Sequence, residues 1–159
     1  MKPFPSFILL SLLCAGLLPA NAAWKTEHRL ASPDGALAFV LERDDTTQAL
    51  AWSVTRKDRP VVTRGALGLE LTGPGGIADK GPVMKAETRS ADTRWKPVCG
   101  EHAEYRDQFN EATLTLGAAA ADHPVVRLQV RAYDAGVALR YLVDGTGPFT
   151  VTGEKTSFP

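Results

Sequence analysis

Cysteine is almost absent from this chain, with two residues in 159, and their positions exclude an internal disulfide. Cys14 lies in a leader expected to be removed, so Cys99 is left without a partner and folding must rest on burial alone. No excess of basic charge exists either. Lys and Arg together number 18, as do Asp and Glu, so there is no positive field to hold phosphates and nucleic acid is excluded as a partner. The three histidines, His28, His102 and His123, stand too far apart for a zinc motif. Neither a Gly-x-Ser-x-Gly elbow nor a glycine-rich phosphate loop occurs, which leaves nucleophilic hydrolysis and nucleotide binding without support. Apolar residues at helical spacing are never sustained beyond residue 22, and the alanine run Ala118 to Ala121 is too short to nucleate a helix.

What is present begins with a leader. Lys2 supplies a positive start, Phe7 to Leu18 is an almost unbroken apolar run, and Ala20-Asn21-Ala22 offers small residues at −3 and −1. Cleavage is expected after Ala22. The apolar run is shorter than the roughly 20 residues a spanning helix needs, and Leu13 is too bulky for lipid attachment at Cys14. The mature chain is therefore expected to be periplasmic or secreted, with no membrane association after cleavage. Residues 23–159 amount to one ordinary domain.

Period-two alternation recurs through that domain. Leu37, Phe39 and Leu41 oppose Ala38, Val40 and Glu42 after the turn Ser32-Pro33-Asp34-Gly35, and Leu50, Trp52 and Val54 form a second stripe. The polar stretch Arg56 to Pro60 reads as a turn leading back to Val61 and Val62. Leu67, Leu69 and Leu71 make a further stripe, ended by a Gly- and Pro-rich loop over Gly73 to Gly81. Alternation resumes at Thr113 to Leu116 and over Val126, Leu128, Val130 and Ala132. Asp134-Ala135-Gly136 is expected to form a hairpin connection with positive φ at the glycine, followed by Val137, Leu139, Tyr141 and Val143. Phe149 to Thr152 begins one more strand. Seven or more short strands imply an all-β fold of two packed sheets or a barrel, because one open sheet would leave an apolar face in water.

The densest polar cluster runs from Trp95 to Glu111. It holds an indole and a phenol suited to a sugar face, Arg106 and Asp107 as hydrogen-bonding groups, and carboxylates able to bind hydroxyls or a hard cation. The competing reading makes Trp95, Tyr105 and Phe109 core or edge aromatics, pairs Arg106 with Asp107, and leaves Glu101, Glu104 and Glu111 solvated. Composition alone favours that second reading. Cys99 is expected as a small buried core residue. No catalytic acid is assigned, since sequence spacing does not give the separation of two carboxylates.

The stretches Ser32-Pro33-Asp34-Gly35, Trp95-Lys96-Pro97-Val98 with Gly100-Glu101, Tyr105-Arg106-Asp107 with Asn110-Glu111, and Arg131 to Tyr141 together resemble the N-terminal domain of glycoside hydrolase family 97. Glu154-Lys155-Thr156-Ser157-Phe158 is similar to the segment that follows there, and Cys99 stands where that family carries an aromatic. The resemblance implies a two-sheet β-super-sandwich of galactose mutarotase-like type, placed ahead of a (β/α)8 barrel in α-glucosidases and α-galactosidases. It also implies that the acid, base and nucleophile lie in the barrel, so no catalytic residue is carried over to this chain. Calcium at the domain junction is implied for the full-length enzymes, with its sandwich glutamate downstream of residue 159, so no cofactor or metal ligand is expected here. The domain over 23–159 is expected to be incomplete at its C-terminus. The expected role is a non-catalytic carbohydrate-binding or supporting domain, with an oligosaccharide or the barrel as partner and with Trp95, Glu101, Tyr105, Arg106, Asp107 and Asn110 as candidate sugar contacts. A stand-alone carbohydrate-binding module and a periplasmic scaffold or adhesion domain are the alternatives.

Overall fold

A computed structural model describes residues 23–72, 80–117, 125–145 and 148–159. The expected leader, most of the Gly73 to Gly81 loop, the alanine run and His123 lie outside the described residues. Strands β1 (Trp24–Ala31), β2 (Leu37–Asp44), β3 (Leu50–Arg56) and β4 (Arg59–Ala66) form an antiparallel meander. The chain then makes β5 (Leu69–Thr72) and enters a second four-stranded antiparallel sheet of β6 (Val83–Trp95), β7 (Tyr105–Leu116), β8 (Val125–Ala132) and β9 (Val137–Asp144). Finally β10 (Thr150–Glu154) returns to pair with β5. No described residue is helical, and the architecture is an all-β sandwich.

The alternation explains the layering. Leu37, Phe39 and Leu41 of β2 and Leu50, Trp52 and Val54 of β3 turn the same way and meet Ala112, Leu114 and Leu116 of β7 and Leu128, Val130 and Ala132 of β8 in one core. Leu41, Leu114 and Leu128 are fully inaccessible, and each such side chain contributes about 1.5–3 kcal/mol of transfer free energy. Leu69, Leu71 and Val126 make a smaller cluster beneath the β5 and β10 ribbon. The segment after β10 closes one side of the sandwich. The Ser157 amide donates to the Ala66 carbonyl, the Trp52 indole Nε1–H donates to the Ser157 carbonyl at 3.2 Å, and Phe158 sits edge-on to Trp52 with ring centroids 5.1 Å apart.

Several details differ from the sequence-based expectation. Strands β1 and β6 lie outside the expected strands, because little of either is buried and neither carries a clear alternation. Strand β7 begins at Tyr105, well before Thr113, so half of the polar cluster is strand. Positive φ falls on Lys57 and Asp58 in the β3–β4 turn and not on Gly136. The Tyr133 amide does bond the Gly136 carbonyl, closing a tight β8–β9 turn. Leu67 lies outside β5 yet belongs to the core. Cys99 is exposed and not buried, since it sits in the loop between β6 and β7, beyond reach of the core.

Candidate functional site

The sugar-contact candidates fall on one structure, a projecting hairpin. Strands β6 and β7 pair along Trp95 to Tyr105 and onward to Val83 and Leu116, but β8 joins β7 only from Asn110. Residues 91–95 and 105–109 therefore extend past β8 as a two-stranded arm roughly 15 Å long, at about 3.3 Å per residue. Its outer part is exposed at residues 92–95, Tyr105 and Arg106, while Asp107 and Gln108 are half-buried and Phe109 at its base is buried.

Strand parity sorts the candidates. Ala112, Leu114 and Leu116 point into the core, so odd-numbered side chains of β7, and their partners on β6, point outward. Trp95 and Tyr105 are register partners on that outward side and stack with centroids 5.1 Å apart and ring planes 20° apart. His102 from the tip meets Tyr105 edge-on at 5.4 Å. Trp95 remains 53 % exposed and Tyr105 36 %, so the stack offers an open aromatic face. Asp107 shares this side and is half-buried.

Arg106 does not share it. Its guanidinium grips Asp92 with two bonds of 2.7 Å, not Asp107, because adjacent strand residues face opposite ways. The Arg106 bond holds the Asp92 carboxyl below its ordinary range, and Asp92 in turn raises Arg106. Arg94 pairs with Glu104 at 2.9 Å, a second tie across the arm. Asn110 accepts from Ser90 at 2.6 Å and donates to the Ala31 carbonyl at 2.9 Å, pinning the arm's base to β1. Glu101 is exposed in the tip loop. Only Trp95, Tyr105 and Asp107 of the six candidates thus share a face, while Arg106 and Asn110 fix the arm. His102 was missed, although its place three residues before Tyr105 in a turn was a usable signal.

Glu111 is the other correction. It is buried, not solvated, lying between Arg89 of β6 and Arg131 of β8 on the outward face of the second sheet. The Arg89 Nη2 donates at 2.9 Å and the Arg131 Nε at 2.6 Å. Burial pushes its pKa up, but the two guanidiniums outweigh this and hold it below the ordinary value. Phe109 beside it is covered by both, with Arg131 4.1 Å and Arg89 5.1 Å from the ring centroid.

No three His, Cys, Asp or Glu side chains gather as a metal site among the described residues.

Comparison with known proteins agrees with this architecture. A retaining alpha-galactosidase of Bacteroides thetaiotaomicron is 26 % identical over 153 residues, covering 96 % of this chain and 21 % of that enzyme. A glycoside hydrolase family 97 enzyme from Pseudoalteromonas sp. strain K8, solved in complex with acarbose, superposes with a TM-score of 0.71 at 27 % identity, covering 82 % of this chain and 20 % of that one. A beta-arabinopyranosidase shares the fold with a TM-score of 0.72 at 19 % identity, over 84 % of this chain and 21 % of its own. The chain spans about a fifth of the length of these relatives. A family model described as Glycosyl-hydrolase 97 N-terminal matches residues 30–159, and the chain belongs to that family.

Proposed function

We propose that this polypeptide serves as the non-catalytic N-terminal sandwich of an exported hydrolase of α-glycosides, supporting a catalytic (β/α)8 barrel and presenting its arm toward the sugar. The arm is the observation that carries this reading. A stiff two-stranded element tied by Arg106 with Asp92 and Arg94 with Glu104, and ending in an exposed aromatic stack, costs ordering entropy that a merely structural turn would avoid. The names of two relatives, a retaining alpha-galactosidase and an enzyme solved with acarbose, support the α-glycoside class. The leader of residues 1–22 supports export.

The exposed stack also favours a second reading, a carbohydrate-binding module acting alone through Trp95 and Tyr105, with Asp107 as hydrogen-bonding group and Glu101 from the tip loop. Calorimetric titration with maltose, melibiose and longer oligosaccharides separates the two. Heat that disappears in Trp95→Ala supports direct sugar binding, and no heat with any sugar leaves the supporting role alone. Hydrolysis of an aryl α-glycoside above the buffer rate by this chain would overturn both.

A further inference from the structure

The outward face of the second sheet carries a row of alternating charge that stops one place short. Across the strands, Arg89, Glu111 and Arg131 stand side by side, and the next register position on β9 is Ala138. Its methyl group leaves a depression of about 180 Å³ lined by Gln129, Arg131, Tyr133, Ala138, Leu139 and Arg140. Arg131 is fixed by its bond to Glu111 and by the Phe109 ring beneath it. Arg140 is fixed by a 2.6 Å bond from its Nε to Gln129. The Nε bond orients each guanidinium, Arg131 is bonded to the Tyr133 side chain as well, and donors remain at the outer nitrogens. One carboxylate, Glu111, serves both Arg89 and Arg131, so the neighbourhood with Arg140 keeps a positive balance.

We propose that this depression over Ala138 is a binding site for a small oxyanion, the carboxylate of an acidic monosaccharide or a phosphate, held between Arg131 and Arg140. A planar carboxylate there completes the alternation, accepting from two preorganised guanidiniums, and charge-assisted bonds of this kind are roughly twice as strong as neutral ones. The small apolar floor suits a single sugar ring, and a neutral sugar lacks the group that the two arginines read. The site is separate from the aromatic arm and does not depend on its role.

Nuclear magnetic resonance titrations of the full chain at constant ionic strength test it, using glucuronate, glucose and inorganic phosphate as probes. The expected result is saturable shifts of the backbone amides of Gln129, Arg131, Tyr133 and Arg140 with glucuronate or phosphate and none with glucose. Whichever anion gives the tighter curve identifies the source. Arg140→Gln is expected to weaken binding at least about tenfold, while the one-dimensional amide spectrum remains dispersed. Ala138→Glu places a carboxylate in the depression and is expected to abolish the shifts. Absence of saturable shifts with both anions, shifts centred elsewhere, or equal response to glucose overturns the proposal.

Discussion

A carboxylate on a solvent-facing side of a sheet normally stays wet, yet Glu111 is only 3 % exposed because two arginines and Phe109 close over it. Leaving Arg89 and Arg131 without their shared partner costs both charge-assisted bonds. Glu111→Gln is expected to lower stability by about 2 kcal/mol, less than for a fully buried pair because the arginines are partly wet. The folded-state pKa lies below 4.5, so the carboxylate's contribution is complete above that ordinary value and disappears as pH falls through the lowered one. Urea midpoints of the two proteins should therefore converge on acidification below about pH 4.5; a gap that persists to low pH would mean the lost stability is steric. His28 acts in another window. Burial holds its pKa below 6.5, and its Nε2 is buried with no hydrogen-bond partner among the described residues. The stability linked to its neutral form is present above 6.5 and lost as pH falls from there through the lowered value. His28→Gln is expected to flatten that part of the profile and leave the Glu111 part unchanged.

Turns and closures decide what happens at the level of elements. Lys57 and Asp58 both have positive φ, 47° and 63°, the signature of a two-residue I′ hairpin occupied by a side chain that pays for a left-handed backbone. Replacing the pair with Asn-Gly is expected to raise stability by about 0.5–1 kcal/mol, readable as a higher urea midpoint. Gly65 presents the opposite case. A Cβ there would stand 2.3 Å from the Ser157 carbonyl oxygen and 2.9 Å from the Trp52 Nε1, and neither the backbone nor a buried indole can easily give way. Gly65→Ala should cost about 1–3 kcal/mol and red-shift tryptophan emission as the terminal segment lifts from Trp52; an unchanged spectrum and midpoint would show that the segment is not held as described. Sequence patterning foresaw β2, β3, β8 and β9 because each buries one face against a facing sheet. It missed β1 and β6 because little of either is buried and strands alternate only where something covers them, and it placed the positive φ at Gly136 because glycine tolerates that conformation, although here Lys57 and Asp58 adopt it instead.

At the scale of the molecule the sandwich and the arm are separable, and the candidate site was legible only in part for the same reason. Composition located the aromatic cluster, but only the register revealed that Trp95 and Tyr105 are opposite one another while Arg106, next to Tyr105 in sequence, points the other way. The main core draws on Ala112, Leu114 and Leu116 of β7 and on no residue between 84 and 111. Removing residues 92–108 and joining Ala91 to Phe109 through Asn-Gly would keep the pairing of those two residues and supply a turn of the right hand. It also keeps Ser90 bonded to Asn110, and Asn110 bonded to Ala31. The shortened loop lowers closure entropy slightly, and the ion pairs lost are exposed ones worth little each. The variant is expected to fold with a cooperative thermal transition within about 5 °C of the parent, the shift that roughly 1 kcal/mol produces in a domain of this size, while losing any heat of binding to oligosaccharides. A non-cooperative transition would make the arm part of the folding unit, and sugar binding retained at full strength would remove Trp95 and Tyr105 from any role in it.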